Sequence, residues 1–442
     1  MTNVSPEPVA LFWYRRDLRL HDNAGLYHAL RSGLPVVPVF IFDQTILDAL
    51  DDKHDRRLEF IYNTILDLQT EFRKLGTSLV VRYGKPLEVY KDLLKDFDIQ
   101  AVYTNYDYEG YAKARDKSVA DLLYENGAEF YAYKDQTIFD RDEVLTGSGS
   151  PYTVFTPYSR NWHHKLNDFY LKSYPTESYF RNFLKSDAQP IPTLEELGFK
   201  PLNEPFPGKT VPSDVLKNYK ETRDFPAIKG TSELSIHLRF GTISIRELAR
   251  TARKLNFTFL NELVWRDFYF QVLDHFPHVE TNSFRREYDS IPWRNNEAEF
   301  QRWCEGRTGY PIVDAGMRQL NEIGWMHNRV RMITASFLCK HLLIDWRWGE
   351  AYFAKKLRDY DLSANNGGWQ WAAGSGTDAA PYFRVFNPTL QAQKFDPKGE
   401  YIRRWVPEFN SLDYVPPMVE HTMARNRAIE VYKKGLLAGK MA

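Results

Sequence analysis

Cysteine is almost missing from this chain. There are two, Cys304 and Cys339, among 442 residues, and no C-x-x-C pair. That excludes a disulfide framework and a cysteine-based zinc site, and a reducing, cytoplasmic setting is expected. No uninterrupted apolar run reaches the roughly 20 residues of a membrane span, and the opening MTNVSPEP lacks the basic-then-apolar order of a secretory signal. The formal net charge is +0, so overall charge points to no partner. The glycine fingerprint G-x-G-x-x-G does not follow the first apolar run, where RRDLRLHDN stands instead, so no dinucleotide is expected at that turn. Neither a G-x-S-x-G elbow nor a Walker motif occurs, which leaves nucleophilic hydrolysis and P-loop chemistry without support.

Aromatic residues are what the chain has in excess. Eleven Trp, 27 Tyr and 29 Phe make up 15% of it, beside an ordinary 43% hydrophobic and 26% charged content. The composition is that of a folded protein with large aromatic cores or sites. Charge is unevenly spread: residues 1–145 carry 18 Lys+Arg against 25 Asp+Glu, and residues 146–442 carry 40 against 33. A polyanion, if one docks, meets the second part; a solvated basic surface accounts for the same numbers.

Five short apolar runs, at 9–14, 36–42, 78–83, 101–106 and 129–134, alternate with segments of helical period such as 56–75. Such alternation predicts βαβ units and a doubly wound parallel sheet over 1–145, an α/β domain. TGSGS at 146–150 and a proline-rich stretch predict a connector over 146–212, with a short helix capped by Thr193 and Glu196. Residues 213–442 are helical in period almost throughout, with a capping box at Ser244/Glu247 and Pro311 opening a helix. An all-α, aromatic-rich domain is expected there.

Four segments carry candidate chemistry. In FLNELVWRDFYF, Glu262, Trp265 and Arg266 fall on one helical face, either beside something polar or as an internal ion pair next to a core tryptophan. In GWMHNRVRMITASF, Asn328, Arg331 and Met332 share a side. In GTSELS, the hydroxyls of Thr231, Ser232 and Ser235 suit a phosphate at a helix start or a plain cap. DYDLSANNGGWQW joins Asp359 and Asp361 to an Asn-Gly-Gly turn and two tryptophans; the glycines and indoles suit a flat ligand, while the two carboxylates suit a ribose, a metal or only water. No further carboxylate or histidine is spaced to complete a metal site.

FWYRRDLRLHDN, TSELSIHLRFGTIS, NELVWRDFY, GWMHNRVRM and above all DLSANNGGWQWAAGSGTDAAPYFRVFNP resemble the photolyase/cryptochrome family over nearly the whole chain. The match is closest to class I bacterial enzymes that repair cyclobutane pyrimidine dimers. The resemblance implies FAD in the helical domain, with Tyr219, Thr231, Ser232, Leu234 and Ser235 near its phosphates. Arg266, Asn328, Arg331, Asp359, Asp361 and Asn365 would meet ring, ribose or adenine, with Asn365 facing flavin N5. Light would drive an electron from reduced FAD to a dimer flipped out of DNA, and back. Glu262 would hydrogen-bond that lesion, Trp265 and Trp371 would stack on it, and Arg223, Asn328, Arg329 and Met332 would surround it. Trp369, Trp346 and Trp293 would form a tryptophan chain that re-reduces oxidised flavin.

Asn328 stands where (6-4) photolyases carry a second histidine, and Asn365 where plant cryptochromes typically carry aspartate, so the resemblance favours dimer repair over a cryptochrome-type photoreceptor. Folate-binding relatives have Asn-Glu where this chain has Tyr111 and Ala112, which disfavours a folate antenna and leaves a deazaflavin, a second flavin or none. The expected partner is dimer-containing DNA, with no membrane association and a monomeric protein.

Overall fold

A computed structural model describes residues 7–440. The chain divides into two compact units, one formed by residues up to 140 with 166–210 and 233–253, the other by 141–165, 211–232 and 254 onward. These bounds differ from the expected breaks at 145 and 212: the 146–212 stretch is shared between both units rather than lying outside them.

The first unit is built on five parallel strands, β1 (Val9–Tyr14), β2 (Val36–Asp43), β3 (Val80–Gly84), β4 (Ile99–Asn105) and β5 (Glu129–Tyr133), in the order β3-β2-β1-β4-β5. β1 and β2 are buried along their entire length. Strands covered on both faces need unbroken apolar runs, which is why these two read so plainly in the sequence. Helices α1 (Ala24–Leu30), α2 (Arg56–Lys74), α3 (Pro86–Asp96) and α4 (Gly110–Glu125) connect them. Asn23 caps α1 and Asp55 caps α2 through side-chain oxygens, satisfying amides that the first turn leaves open.

The charges of RRDLRLHDN are used inside this unit. Arg19 grips Asp135 with two hydrogen bonds of 2.8 and 2.7 Å, and Arg246 bridges Asp22 and Asp135 at 2.8 Å each. Arg16 pairs with Asp107 and Glu109, and Arg15 with Asp116. Each buried charge thus has a partner, as burial requires. Thr193 and Glu196 do exchange the two bonds of a capping box, at 2.7 and 3.2 Å, but the segment ends as a turn rather than the expected helix. Gly198 turns left-handed (φ +83°), and Pro201 follows, so the turn has no room to propagate.

The second unit is helical. Its main helices are α5 (Phe155–Lys165), α6 (Phe257–His275), α7 (Pro311–Ile323), α8 (Asn328–Ser336), α9 (Trp346–Lys356), α10 (Leu362–Ala373) and α11 (His421–Gly439). Its core gathers Trp303, Trp346, Trp369, Met317 and Phe337. Cys304 and Cys339 are both buried as free thiols, and burial pushes the Cys304 thiol up to about 12. Among the described residues no helix is long and apolar enough to cross a membrane, and no group of three or more His, Cys, Asp or Glu is placed to hold a metal ion.

The asparagine–glycine pair of the 365–371 segment does not form the expected turn; it lies inside α10. Tertiary packing overrides the weak helix propensity of glycine here. A Cβ on Gly367 would sit 2.2 Å from the Tyr269 ring, so glycine is what lets α10 and α6 approach. Asp361 caps the start of α10, and Gly374 (φ +93°) closes its end.

Lys340 is buried in a π-helical turn over Phe337–His341 and donates to the carbonyls of Ala373 (2.9 Å) and Tyr382 (3.2 Å), 3.7 Å from the centroid of the Tyr432 ring. Burial lowers its pKa from 10.5 to about 7. In that window the unfolded chain binds the extra proton, so folding stability rises with pH from about 7 towards 10 and is reduced below it. Urea unfolding at pH 7, 8 and 9 is therefore expected to show wild type gaining stability relative to Lys340→Met. A constant difference between the two would contradict this assignment.

Candidate active site

A cavity of about 360 Å³ opens in the helical unit. α6, started by the Asn256 cap, presents Glu262, Trp265 and Tyr269 to it. α8 presents Asn328, Arg329, Arg331 and Met332, and α10 presents Asn365, Trp369 and Trp371. The start of α8 is fixed by His327, whose Nδ1 accepts the Arg329 amide at 3.2 Å. Burial pushes that imidazole down to about 4, so it stays neutral and remains an acceptor at neutral pH.

One wall is charged. Arg331 donates to the Asp359 carboxylate at 2.8 Å and to the Met326 carbonyl at 2.7 Å. Asp359 is buried, and its second carboxylate oxygen has no hydrogen-bond partner among the described residues. Opposite, Arg223 pairs with Glu262, and Arg329 with Asp224 at 2.7 Å. Burial raises the Glu262 carboxyl above the usual range, while the Arg223 guanidinium pulls it partly back.

Asn365 is oriented by a residue the sequence did not reveal. Its amide nitrogen donates to the Glu350 carboxylate at 2.9 Å and to the Glu350 carbonyl at 3.3 Å. Both N–H hydrogens are thereby engaged, and the amide oxygen is the atom left to accept a bond from a group in the cavity. Glu350 is 15 positions away on a different helix, and no local spacing signals the pair.

Trp369 is 2% exposed and packs edge-on against Phe353 (5.0 Å) and Trp303 (6.0 Å). Gly349 makes room for it: a Cβ there would lie 2.1 Å from the indole. Trp346 is buried and Trp293 packs against Tyr432 at 5.6 Å. No ring contact joins Trp369, Trp346 and Trp293 among the described residues, and neither Trp346 nor Trp293 lines the cavity. Among the described residues, the one ring contact of Trp371 is a loose, tilted one with Phe386 at 6.4 Å.

All seven residues expected around a lesion, Arg223, Glu262, Trp265, Asn328, Arg329, Met332 and Trp371, line this one cavity. So do Arg331, Asp359, Asp361 and Asn365 from the expected flavin set. Others do not. Tyr219 packs on Phe259, Arg266 lies over Phe270 at 4.7 Å, and Thr231 and Ser232 are half-buried outside the lining. Leu234 and Ser235 belong to the first unit, at the start of a six-residue helix. Tyr269, Phe353 and Leu357 line the cavity without having been singled out, since aromatic and aliphatic residues at helical spacing look the same in a core.

The lining suits a flat ligand with a polar end. Ala335, Phe353, Leu357 and Trp369 supply an apolar wall, while Arg331, Asp359, Asp361 and Asn365 supply donors and acceptors, including the unpartnered Asp359 oxygen. The residues present therefore fit a flavin. In the first unit, Tyr111 donates its hydroxyl to Asp43 at 2.7 Å and Ala112 is buried, so neither position offers a carboxylate to a folate.

An α/β unit with a parallel sheet, together with a helical unit holding a flavin-type cavity, defines a two-part flavoprotein. The sequence profile described as "DNA photolyase" matches residues 10–178, and that described as "FAD binding domain of DNA photolyase" matches residues 259–413. The deoxyribodipyrimidine photo-lyase of Halobacterium salinarum is 37% identical over 96% of this chain and 98% of its own. Among solved structures, a bacterial class III photolyase from Agrobacterium tumefaciens superposes with a TM-score of 0.86 at 33% identity, covering 98% of this chain and 99% of its own. A cryptochrome from Synechocystis gives 0.83 at 27% identity, covering 98% and 100%. The chain belongs to the photolyase/cryptochrome family. It is an FAD-binding DNA photolyase, a carbon–carbon lyase of the deoxyribodipyrimidine photo-lyase type.

Proposed function

We propose that this enzyme repairs cyclobutane pyrimidine dimers in DNA, taking the lesion as a flipped-out dinucleotide into the cavity of the helical unit. The observation that carries this reading is that Glu262, Trp265, Asn328, Met332 and Trp371 share one cavity with Arg331, Asp359 and Asn365. Reduced FAD, when photoexcited, supplies the electron that opens the cyclobutane ring and takes it back.

The chain's own residues bind, orient and exclude water. Arg331, Asp359 and Asp361 would hold the polar part of the flavin, and the amide oxygen of Asn365, whose nitrogen is held by Glu350, would accept a hydrogen bond from it. Phe353 and Leu357 keep water from its apolar side. Photolyases are among the enzymes that extrude their target from the base stack, and Trp371, whose indole carries no stacked neighbour among the described residues, would offer a face to an extruded base. Burial raises the Glu262 carboxyl while Arg223 pulls it partly back, and in this reading Glu262 would hydrogen-bond the extruded pyrimidine. To do so it releases Arg223, which becomes available to a backbone phosphate.

Blue-light illumination of the reduced enzyme with dimer-containing oligonucleotide is expected to restore free pyrimidines, with none restored in the dark. Failure to repair, combined with equal affinity for damaged and undamaged DNA, would instead favour the photoreceptor reading. The logarithm of the lesion affinity is also expected to fall linearly with log salt, with a slope of about −0.9 per phosphate gripped on duplex DNA. Titration between 50 and 200 mM salt measures it, and a flat response would remove the phosphate contacts from the account.

A further inference from the structure

Phe155 is the first residue of α5, in a stretch the sequence suggested was only a connector. α5 runs along α6, joined to it by Ser159 donating to Asn261 (2.9 Å) and by the Trp162 indole donating to Asp267 (3.0 Å). At the head of this pairing the Phe155 ring lies flat on the indole of Trp265, with centroids 3.5 Å apart and planes within 4°. The phenyl is 7% exposed and closed in further by Phe268 at 5.7 Å. Its backbone N–H is accepted by the Asp378 carboxylate, and Asp378 holds a left-handed φ of +48°. Phe155 is thus fixed at both ring and backbone.

A face-to-face contact this close covers one side of the Trp265 π-system. Only the other face and the edge of that indole remain for a base, and Tyr269 approaches at 5.6 Å and 30°. The two lesion-facing tryptophans are therefore unequal: Trp371 is loosely packed, while Trp265 is backed. We propose that Phe155, which does not itself line the cavity, is a positioning residue for lesion recognition that holds the plane of Trp265 at the angle an extruded pyrimidine dimer must meet. This rests on the lesion-binding role of Trp265 proposed above.

The test is a double-mutant cycle in the full-length flavoprotein, reading affinity for dimer-containing and undamaged duplexes side by side. Phe155→Leu is expected to weaken binding of the damaged duplex about two- to tenfold, the worth of one aromatic pair. Affinity for undamaged DNA, the salt slope and the flavin content stay as in wild type. Phe155→Tyr restores the affinity, and Phe155→Met, which keeps the volume, covers the case in which the leucine variant folds poorly. In a Trp265→Leu background, Phe155→Leu costs nothing further. A merely structural role would lower the unfolding midpoint without changing the damaged-to-undamaged ratio, and that result overturns the inference. If Trp265→Leu alone leaves the ratio unchanged, the lesion-stacking reading itself fails. If Trp265→Leu lowers the ratio and the Phe155 variants do not, only the positioning role is lost.

Discussion

In a Trp369→Phe variant, blue light with an external reductant is expected to leave oxidised flavin unreduced, while enzyme reduced chemically beforehand still repairs dimers. Trp369 lines the flavin-type cavity and is almost fully buried, and we propose it, on the family resemblance, as the indole that would pass an electron inward. Phenylalanine keeps most of the packing against Phe353 and Trp303 but is far harder to oxidise. Loss of flavin absorbance during illumination measures the first effect, and restored pyrimidines under anaerobic light measure the second. Simultaneous loss of both would mean that Trp369 shapes the cavity rather than carries charge, and unchanged photoreduction would remove it from the route.

The other large effect is expected at Asp359. Asp359→Ala leaves the Arg331 guanidinium facing the cavity without its carboxylate, and breaking a buried pair by removing one partner costs about 3–5 kcal/mol. Because Arg331 is 27% exposed, solvent recovers part of that charge and the lower end, about 3 kcal/mol, is expected. Flavin occupancy falls with it. Asp359→Asn, which keeps the shape and one acceptor, is expected to lie between wild type and alanine. The double variant Asp359→Leu/Arg331→Met should recover stability without recovering flavin. Urea unfolding and the flavin-to-protein absorbance ratio separate these outcomes; equal flavin content in all of them would place the polar end of the ligand elsewhere.

The parts of this molecule that could be read from its residues are those where local pattern and global environment agree. Strands β1 and β2 are covered on both sides and so spell continuous apolar runs, and Asn328, Arg331 and Met332 reach one cavity because a helix brings i, i+3 and i+4 together. The illegible parts depend on distant partners. NNGG looks like a turn until the Tyr269 ring is placed against Gly367. Glu350 acquires its role only when α9 lies beside α10, and Phe155 only when α5 lies along α6. The family's motifs identified most of the cavity wall but said nothing of these supports, because a motif records the groups that touch the ligand more clearly than those that steady them.

The lattice of Arg19, Asp22, Asp135 and Arg246 has a consequence for how the protein is made. The α/β unit takes Arg246 from a segment that follows residues 211–232, which belong to the other unit. Until that arginine has left the ribosome, the Asp22 carboxylate lacks the cation that permits its burial. The first unit is therefore completed only after residues 211–232 of the second have been made, and fragments ending at residue 145 or 210 would lack the Arg246 and Ser244 partners of Asp22, leaving its carboxylate open to water.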